Sequence, residues 1–466
     1  MSKLPDSDLF AVPLPKGFLL FSPRRRLAVR LNRQALMVLF RIFVAGDHPS
    51  GLSPEMDALV AELSQPQEQV IPSANTAVSP PFLGLITTRA CNLACAYCAF
   101  GSRTSPDERM PLATAVAAVD WMAHQARRLA RETLDIHFFG GEPFAAPEVV
   151  DTAVLRGRIM AEQSRLRPHF EASTNGYYTA DQADFIGAYF HAVVVSIDGP
   201  APVHDRHRPA APGKGSFDRV AETIQRLGRW ELKLCLRVCV SKENVASLEE
   251  IVSWLGHTFR PSVINLETLQ PTPESVAAGL RPPDPAEFAV HGHRAIRQAR
   301  SQGIKAVYSA AEMDGPRYTF CPVGRDTIIV SPDGQAASCY LPRWEWKQRD
   351  LELEVGRVDG ANLSVDSRAI RRVRRAAAHK PRCRRCFCRW TCAGGCLVNQ
   401  TWPGCPDAYD DFCRQTRLLS ACALLDAMGD SAEADGVLTD ARAMAVLAEH
   451  PDDRLENFPT MAGGHG

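Results

Sequence analysis

Between residues 82 and 270 the chain alternates short apolar runs with longer amphipathic stretches, and this alternation limits its fold more than any other feature. Runs at 82–88, 134–139, 170–174, 192–197, 232–240 and 263–269 have the length and apolar character of strands, and helical stretches such as 113–131, 180–190 and 217–230 lie between them. Six such repeats predict an α/β domain on a parallel sheet, either open or rolled into a partial barrel, because parallel neighbours need a crossover. In both forms the loops at the carboxyl ends of the strands carry chemistry. Each informative motif falls at such an end: CNLACAYC after the first strand, GGEP after the second, STNG at the third and SIDG at the fourth.

The flanks read differently. Residues 1–75 form a small α+β unit, with a hairpin from 17–21 and 27–31 around Ser22-Pro23-Arg24-Arg25-Arg26 and a helix over 33–45 capped by Asn32. A polar linker, 64–79, leads to the β/α region of 80–310. Residues 315–430 are rich in cysteine, arginine and turns, and 431–466 read as a C-terminal helix and tail, the tail being 459–466. Helices are expected over 407–428 and 431–449. The longest early apolar stretch, 35–46, is too short to span a bilayer and contains Arg41, so no membrane partner is expected. Lys+Arg and Asp+Glu both number 53, and this neutral balance argues against a dedicated nucleic-acid binder.

The fifteen cysteines are grouped, and no apolar signal core precedes them. A cytoplasmic, reducing location is therefore expected, in which clustered thiols read as metal or cluster ligands and not as disulfides. Cys91, Cys95 and Cys98 form C-x3-C-x2-C. Cys321 and Cys339 flank Gly334, and Cys383, Cys386, Cys392 and Cys396 form C-x2-C-x5-C-x3-C, with Cys388 inside and Cys405, Cys413 and Cys422 after it. A [4Fe–4S] cube takes four thiolates, so three close cysteines leave one iron open to a small ligand; zinc and purely structural roles are the competing readings. Cys235, Cys239 and Cys422 sit in apolar runs and read as small buried residues. The 13 histidines show no metal-ligand spacing.

In this order, at successive strand ends, the motifs resemble those of the radical S-adenosylmethionine enzymes. Cys91, Cys95 and Cys98 match the family's cluster motif, with Tyr97 placed to stack on a purine. Gly140-Gly141-Glu142-Pro143 matches its methionine-binding motif. Ser173-Thr174-Asn175-Gly176, Ser196-Ile197-Asp198-Gly199-Pro200 and His204-Asp205-Arg206-His207-Arg208 look like its later motifs. The resemblance implies a partial (β/α)6 TIM-type barrel that holds a [4Fe–4S] cluster and S-adenosylmethionine. It implies one-electron cleavage of the sulfonium to a 5′-deoxyadenosyl radical that abstracts hydrogen from an unactivated C–H bond. Glycines 140 and 141 would let backbone approach the ligand's amino and carboxylate ends. Ser173 and Arg208 would hold its carboxylate, with Asn175, Ser196, Asp198 and Arg237 nearby. Asp198 also reads as a simple turn residue before Gly199-Pro200.

The seven cysteines from Cys321 to Cys413 resemble the SPASM domain of peptide- and protein-modifying members. The resemblance implies two auxiliary [4Fe–4S] clusters, one on Cys383, Cys386, Cys392 and Cys413, the other on Cys321, Cys339 and Cys396. The second then has an open iron or recruits Cys388 or Cys405. Between residues 368 and 389 there are ten Lys/Arg and no Asp/Glu, which reads as a solvated face, as charge that offsets thiolate clusters, or as a dock for an acidic segment. The pattern of 8–70 is similar to PqqD-like elements, which bind a leader peptide as an added strand. The expected partners are a precursor peptide or target protein and a low-potential donor such as flavodoxin or ferredoxin. The expected activity is post-translational modification, with a thioether or carbon–carbon cross-link as product. A formylglycine-forming sulfatase maturase is the runner-up; in that family an acidic base follows the cysteine corresponding to Cys339, where this chain has Tyr340. A peptide epimerase is a further alternative, and an iron–sulfur electron-transfer or scaffold protein is the alternative from another class.

Overall fold

The structure is a computed structural model that describes residues 8–47, 49–67, 76–100, 108–210, 214–400, 406–449 and 452–458. The tail at 459–466, residues 68–75 of the linker and Cys405 lie outside the described residues.

Strands β1 (Phe10–Leu14), β2 (Gly17–Ser22) and β3 (Leu27–Leu31) form an antiparallel sheet in that order. Leu14 pairs with Gly17, so only Pro15 and Lys16 make the first turn. A Cβ on Gly17 would lie 2.6 Å from the Leu31 carbonyl oxygen, which explains glycine there. The second hairpin and the helix Arg33–Phe40 follow the sequence reading, and the Asn32 side chain accepts from Ala35 N at 2.8 Å. Strand β1 was not anticipated. Its outer edge is taken by residues 452–458: Ala11 N donates to Asp453 O and Leu455 N to Leu9 O. Leu455 and Phe458 complete the core that Leu20, Leu36, Leu39 and Leu63 build.

The main sheet has eleven strands. Strands β4 (Leu83–Ile86), β5 (Thr133–Phe139), β6 (Arg167–Thr174), β7 (Ala192–Ser196), β8 (Lys233–Val240), β9 (Val263–Thr268) and β10 (Lys305–Val307) run parallel, each beside the next. On the other edge of β4, β11 (Ile328–Val330) adds in parallel, followed by β12 (Gln335–Ala337), β13 (Glu354–Asp359) and β14 (Asn362–Val365), all antiparallel. The six expected barrel strands are therefore extended at both edges by three-residue strands, too short to carry a periodic signal.

Strands β5, β6 and β9 alternate in burial, unlike those of a sheet covered on both faces. In β5, Leu134, Ile136 and Phe138 are buried, on the face packed against helices Leu112–Arg128 and Pro147–Ser164, while Asp135, His137 and Phe139 are half-buried. In β6, His169, Glu171 and Ser173 share that half-buried face. The inner face thus lines a polar lumen, where His137 lies 3.4 Å from Glu171 and His169 lies 3.1 Å from Asp135.

The cysteine-rich region continues the sheet and closes with helices Ser367–Ala378 and Pro406–Ala427. One helix was expected over 431–449, but two are present, Ser431–Thr439 and Ala441–Ala448. Asp440 leaves helical geometry and its carboxylate caps Arg442 N and Ala443 N, so the helix restarts there. Among the described residues no helix is long and apolar enough to cross a membrane. Phe138 is 1% exposed and packs against Phe170 and Phe190 under the helical layer. Phe138→Ala is expected to cost about 3–5 kcal/mol, read as a lowered urea midpoint.

Candidate functional site

The loop after β4 carries Cys91, Cys95 and Cys98, and its backbone is tied down on two sides. Ala94 N donates to Pro209 O and Ala96 N to His207 O, both at 2.8 Å, which fastens it to the segment after β7. Gly141 N donates to Thr88 O and Glu142 N to Ala90 O, which fastens it to the end of β5. A Cβ on Gly140 would lie 2.4 Å from Thr88 O, and one on Gly141 would lie 2.2 Å from Ala90 O. What approaches these two glycines is the cysteine loop itself, a role the sequence reading had given to the ligand's ends. Pro143 accepts from the Thr87 hydroxyl at 3.0 Å and completes the join.

Glu142 is fully buried. It accepts from Thr174 Oγ1 and Asn175 N, both at 2.7 Å, and from Phe144 N at 3.2 Å, so its carboxylate stitches β5 to β6. Burial pushes its pKa up to about 7 against those hydrogen bonds. Asn175 then reaches the cysteine loop, donating from Nδ2 to Cys91 Sγ at 3.5 Å and to Asn92 Oδ1 at 2.9 Å. Burial is the main cause that raises the Cys91 thiol to about 12 and the Cys95 thiol to about 11. Uncompensated thiolates are disfavoured here, and an iron–sulfur core would supply the missing positive charge.

Asp198 is the centre of the region. Fully buried, it accepts from Tyr97 Oη at 2.7 Å, Arg208 Nε at 2.9 Å and Cys239 N at 2.9 Å, and His207 Nδ1 lies 3.2 Å away. Asn244 Nδ2 donates to its carbonyl oxygen. Although desolvation raises its pKa, Arg208 and the two histidines hold it well below the usual carboxylate range. The turn reading therefore does not hold: Asp198 links the cysteine loop, the His204–Arg208 segment and β8. The Tyr97 ring has the Arg208 guanidinium over it at 5.1 Å and the edge of His207 at 5.8 Å. His204, which the sequence placed only in a strand-end loop, contacts Ser216 Oγ at 3.0 Å and Asp198 N at 3.4 Å.

Ser173, Ser196 and Arg237 stand half-buried on the inner faces of β6, β7 and β8, with Ser196 paired in register to Arg237. Arg237 Nε is buried without a hydrogen-bond partner. An orphaned guanidinium nitrogen on the inner face of β8 suits an anion such as the carboxylate of S-adenosylmethionine, so these residues fit that cofactor. Sequence reasoning missed Glu267 on β9, which takes the Ser309 hydroxyl and carries a pKa raised by burial and opposed by Arg237. A lone acidic residue in a strand gave no signal.

The other thiols fall into two groups. Cys383, Cys386, Cys392 and Cys413 line one small cavity, together with Cys388. Cys321, Cys339 and Cys396 interact with one another electrostatically, and burial drives the Cys321 thiol up to about 11. Cys388 thus sits with the first group, although the sequence had offered it to the second. Lys380 Nζ donates to Tyr318 O at 3.2 Å and feels thiols of both groups, Cys383 and Cys392 on one side and Cys321 on the other. Much of the arginine run is structural: Arg374 pairs with Asp326, Arg389 with Asp8 and Arg382 with Asp410. Cys235, Cys239 and Cys422 are buried, Cys239 beside Ala96 and Tyr97.

In this parallel sheet the loop after β4 carries three thiols, with the Arg208 guanidinium acting on Cys95. Residues 85–255 match the Radical SAM superfamily, so this part of the chain is a radical S-adenosylmethionine domain. The chain is similar to the mycofactocin maturase MftC of Mycobacterium tuberculosis, at 25% identity over 347 residues, covering 70% of this chain and 81% of that protein. Its fold is that of native anSMEcpe with bound AdoMet and Kp18Cys peptide, with a TM-score of 0.59 at 15% identity over 75% of this chain and 99% of the other. It is also that of Streptococcus suis SuiB bound to precursor peptide SuiA, with a TM-score of 0.52 at 12% identity over 87% of this chain and 98% of the other.

Two outcomes follow from this geometry. Gly141→Ala forces its Cβ into the Ala90 carbonyl, so iron bound by the first loop should fall sharply while iron elsewhere is kept, as measured by iron assay against Cys91→Ala. Burial lowers the His204 pKa from 6.5 to about 4, so the folded state stays neutral there while the unfolded state takes up a proton. The His204 contribution to stability should therefore fall as pH drops from 6.5 towards 4, by up to about 1.4 kcal/mol per pH unit, while Glu142, raised from 4.5 to about 7, contributes in the opposite sense. His204→Gln should remove the first contribution, so urea midpoints of the variant should gain on those of the parent as pH falls across this range.

Proposed function

We propose that this chain modifies a peptide or protein after translation by forming an intramolecular cross-link, a thioether or a carbon–carbon bond. When bound, the cluster and S-adenosylmethionine supply a 5′-deoxyadenosyl radical that abstracts hydrogen. The chain's own residues orient and enclose that chemistry. Arg237 and Arg208 offer cationic contacts to a carboxylate, Ser173 and Ser196 offer hydroxyls, Asn175 steadies Cys91, and the barrel wall excludes water.

The observation that carries the cross-link reading is the second assembly of thiols, split into a group of four with Cys388 beside it and a group of three. Two auxiliary [4Fe–4S] clusters on these groups provide an acceptor for the leftover electron and, on Cys321, Cys339 and Cys396, an iron with a site for the substrate. A leader segment of the substrate would add to β3, which among the described strands is hydrogen-bonded on one side only. A soluble low-potential donor such as flavodoxin or ferredoxin would supply electrons. The similarity to a maturase and the fold shared with SuiB, whose structure holds a precursor peptide, support a peptide substrate.

A second reading, oxidation of a cysteine to an aldehyde as in sulfatase maturation, is disfavoured by the residue after Cys339. Tyr340 is no carboxylate; its ring lies 4.7 Å from Phe139, and a Cβ on Gly84 would meet its hydroxyl at 2.8 Å. A simple electron-transfer protein needs no cofactor pocket with an orphaned guanidinium.

The test is anaerobic reconstitution with a co-expressed candidate peptide. Roughly twelve irons, three cubes of four, are expected. Replacing Cys91, Cys95 and Cys98 by Ala should remove about a third of the iron and all S-adenosylmethionine cleavage. Cys321→Ala or Cys339→Ala should keep uncoupled cleavage and abolish the product. The product should be two mass units lighter than its precursor, because two hydrogens leave as one bond forms. An unchanged mass, as in epimerisation, or an aldehyde product would discard cross-linking.

A further inference from the structure

Arg417, on the helix Pro406–Ala427, is 1% exposed and makes no contact with the barrel site. Its Nη1 donates to Cys386 Sγ at 3.4 Å and to Asp453 Oδ2 at 2.5 Å, its Nη2 to Asp453 Oδ1 at 2.9 Å, and its Nε to Leu447 O at 2.7 Å. The guanidinium lies over the Phe387 ring at 5.0 Å, and Phe387 N donates to Asp453 Oδ2 at 3.0 Å. Asp453 is fully buried. Arg417 and Cys388 both line the cavity formed by Cys383, Cys386, Cys392 and Cys413.

A fully buried ion pair is a poor device for stability, because desolvation cancels most of its attraction and an apolar pair of similar volume does as well. Its position suggests another use. Hydrogen bonds and positive charge at a ligating sulfur stabilise the reduced, more negative state of an iron–sulfur cluster. A carboxylate fixed on the same guanidinium subtracts part of that effect. In low dielectric both contributions act strongly over these distances.

We infer that the Arg417–Asp453 pair sets the reduction potential of the auxiliary cluster on Cys383, Cys386, Cys392 and Cys413, Arg417 raising it and Asp453 limiting the rise. The inference rests on the proposed reading that these four cysteines hold a cluster. It adds the residues that decide how readily that cluster takes one electron. Both act through Cys386 and touch neither substrate nor S-adenosylmethionine.

The test is a redox titration monitored by electron paramagnetic resonance. It uses the full chain with Cys91, Cys95 and Cys98 replaced by Ala, so that only the auxiliary clusters report. Arg417→Gln should lower the reduced fraction of one cluster at least tenfold at a fixed potential, which is 59 mV for a one-electron couple. Asp453→Asn should raise it, and the other auxiliary cluster should not move. A role confined to packing does not produce shifts of opposite sign. Shifts of the same sign, or below twofold with iron retained, overturn the inference. If Arg417→Gln loses the iron, Asp453→Asn and Arg417→Lys decide it: an unchanged potential in both, or loss of the cluster in all three, makes the pair structural and ends the proposal. Cys386→Ala separates the underlying reading. If it removes no iron, the cluster assignment is wrong, whatever the titration gives.

Discussion

One buried carboxylate holds the cofactor end of the barrel together. Asp198 lies out of water, where an unpaired charge would cost several kcal/mol, and it is tolerated because Arg208, Tyr97, His207 and the Cys239 amide all converge on it. The four partners come from three pieces of chain: Tyr97 from the cysteine loop, His207 and Arg208 from the segment after β7, Cys239 from β8. The loop that must present three thiols thereby inherits the rigidity of the strands. Glu142 repeats the device on the other side, joining β5 to β6, and Asn175 carries that join on to Cys91. Two buried carboxylates, one on each flank, therefore brace the thiols without contacting them.

Much of this was legible in the residues and some was not. The six central strands announce themselves as apolar runs between amphipathic stretches, and the first four end in a recognisable motif. Strands β10 and β11 do not, since three residues have no period and their place is fixed by pairing with β9 and β4. The motif residues come together as their order implied, but their roles shifted. Glycines 140 and 141 make room for backbone of the cysteine loop, and Asp198 serves as a hub where a turn residue was the simplest alternative. Those roles depend on what lies opposite in space, which spacing along the chain does not encode. Glu267, Arg417 and Asp453 were invisible for the same reason: each is a single charged residue whose meaning comes from a distant partner.

The arginine-rich stretch shows how one composition divides among uses. Arg374, Arg382 and Arg389 are committed to carboxylates of other segments. Lys380 is half-buried and feels thiols of both groups. The helix Ser367–Ala378 hides Ala369, Ile370, Val373 and Ala377 beneath the rest. A run of like charge is thus partly a set of clamps and partly a counter-charge to sulfur.

The pairing of residues 452–458 with β1 reaches beyond the finished fold. Synthesis proceeds from the amino end, so β1 emerges hundreds of residues before the segment that covers its edge. Until then the small sheet lacks Leu455 and Phe458 from its core and presents an open strand edge, the kind of surface that templates unwanted pairing. This small unit, made before the barrel, is consequently completed after it. It waits on a segment that cannot arrive before the cysteine-rich region has been made, so its open edge outlasts the synthesis of the barrel.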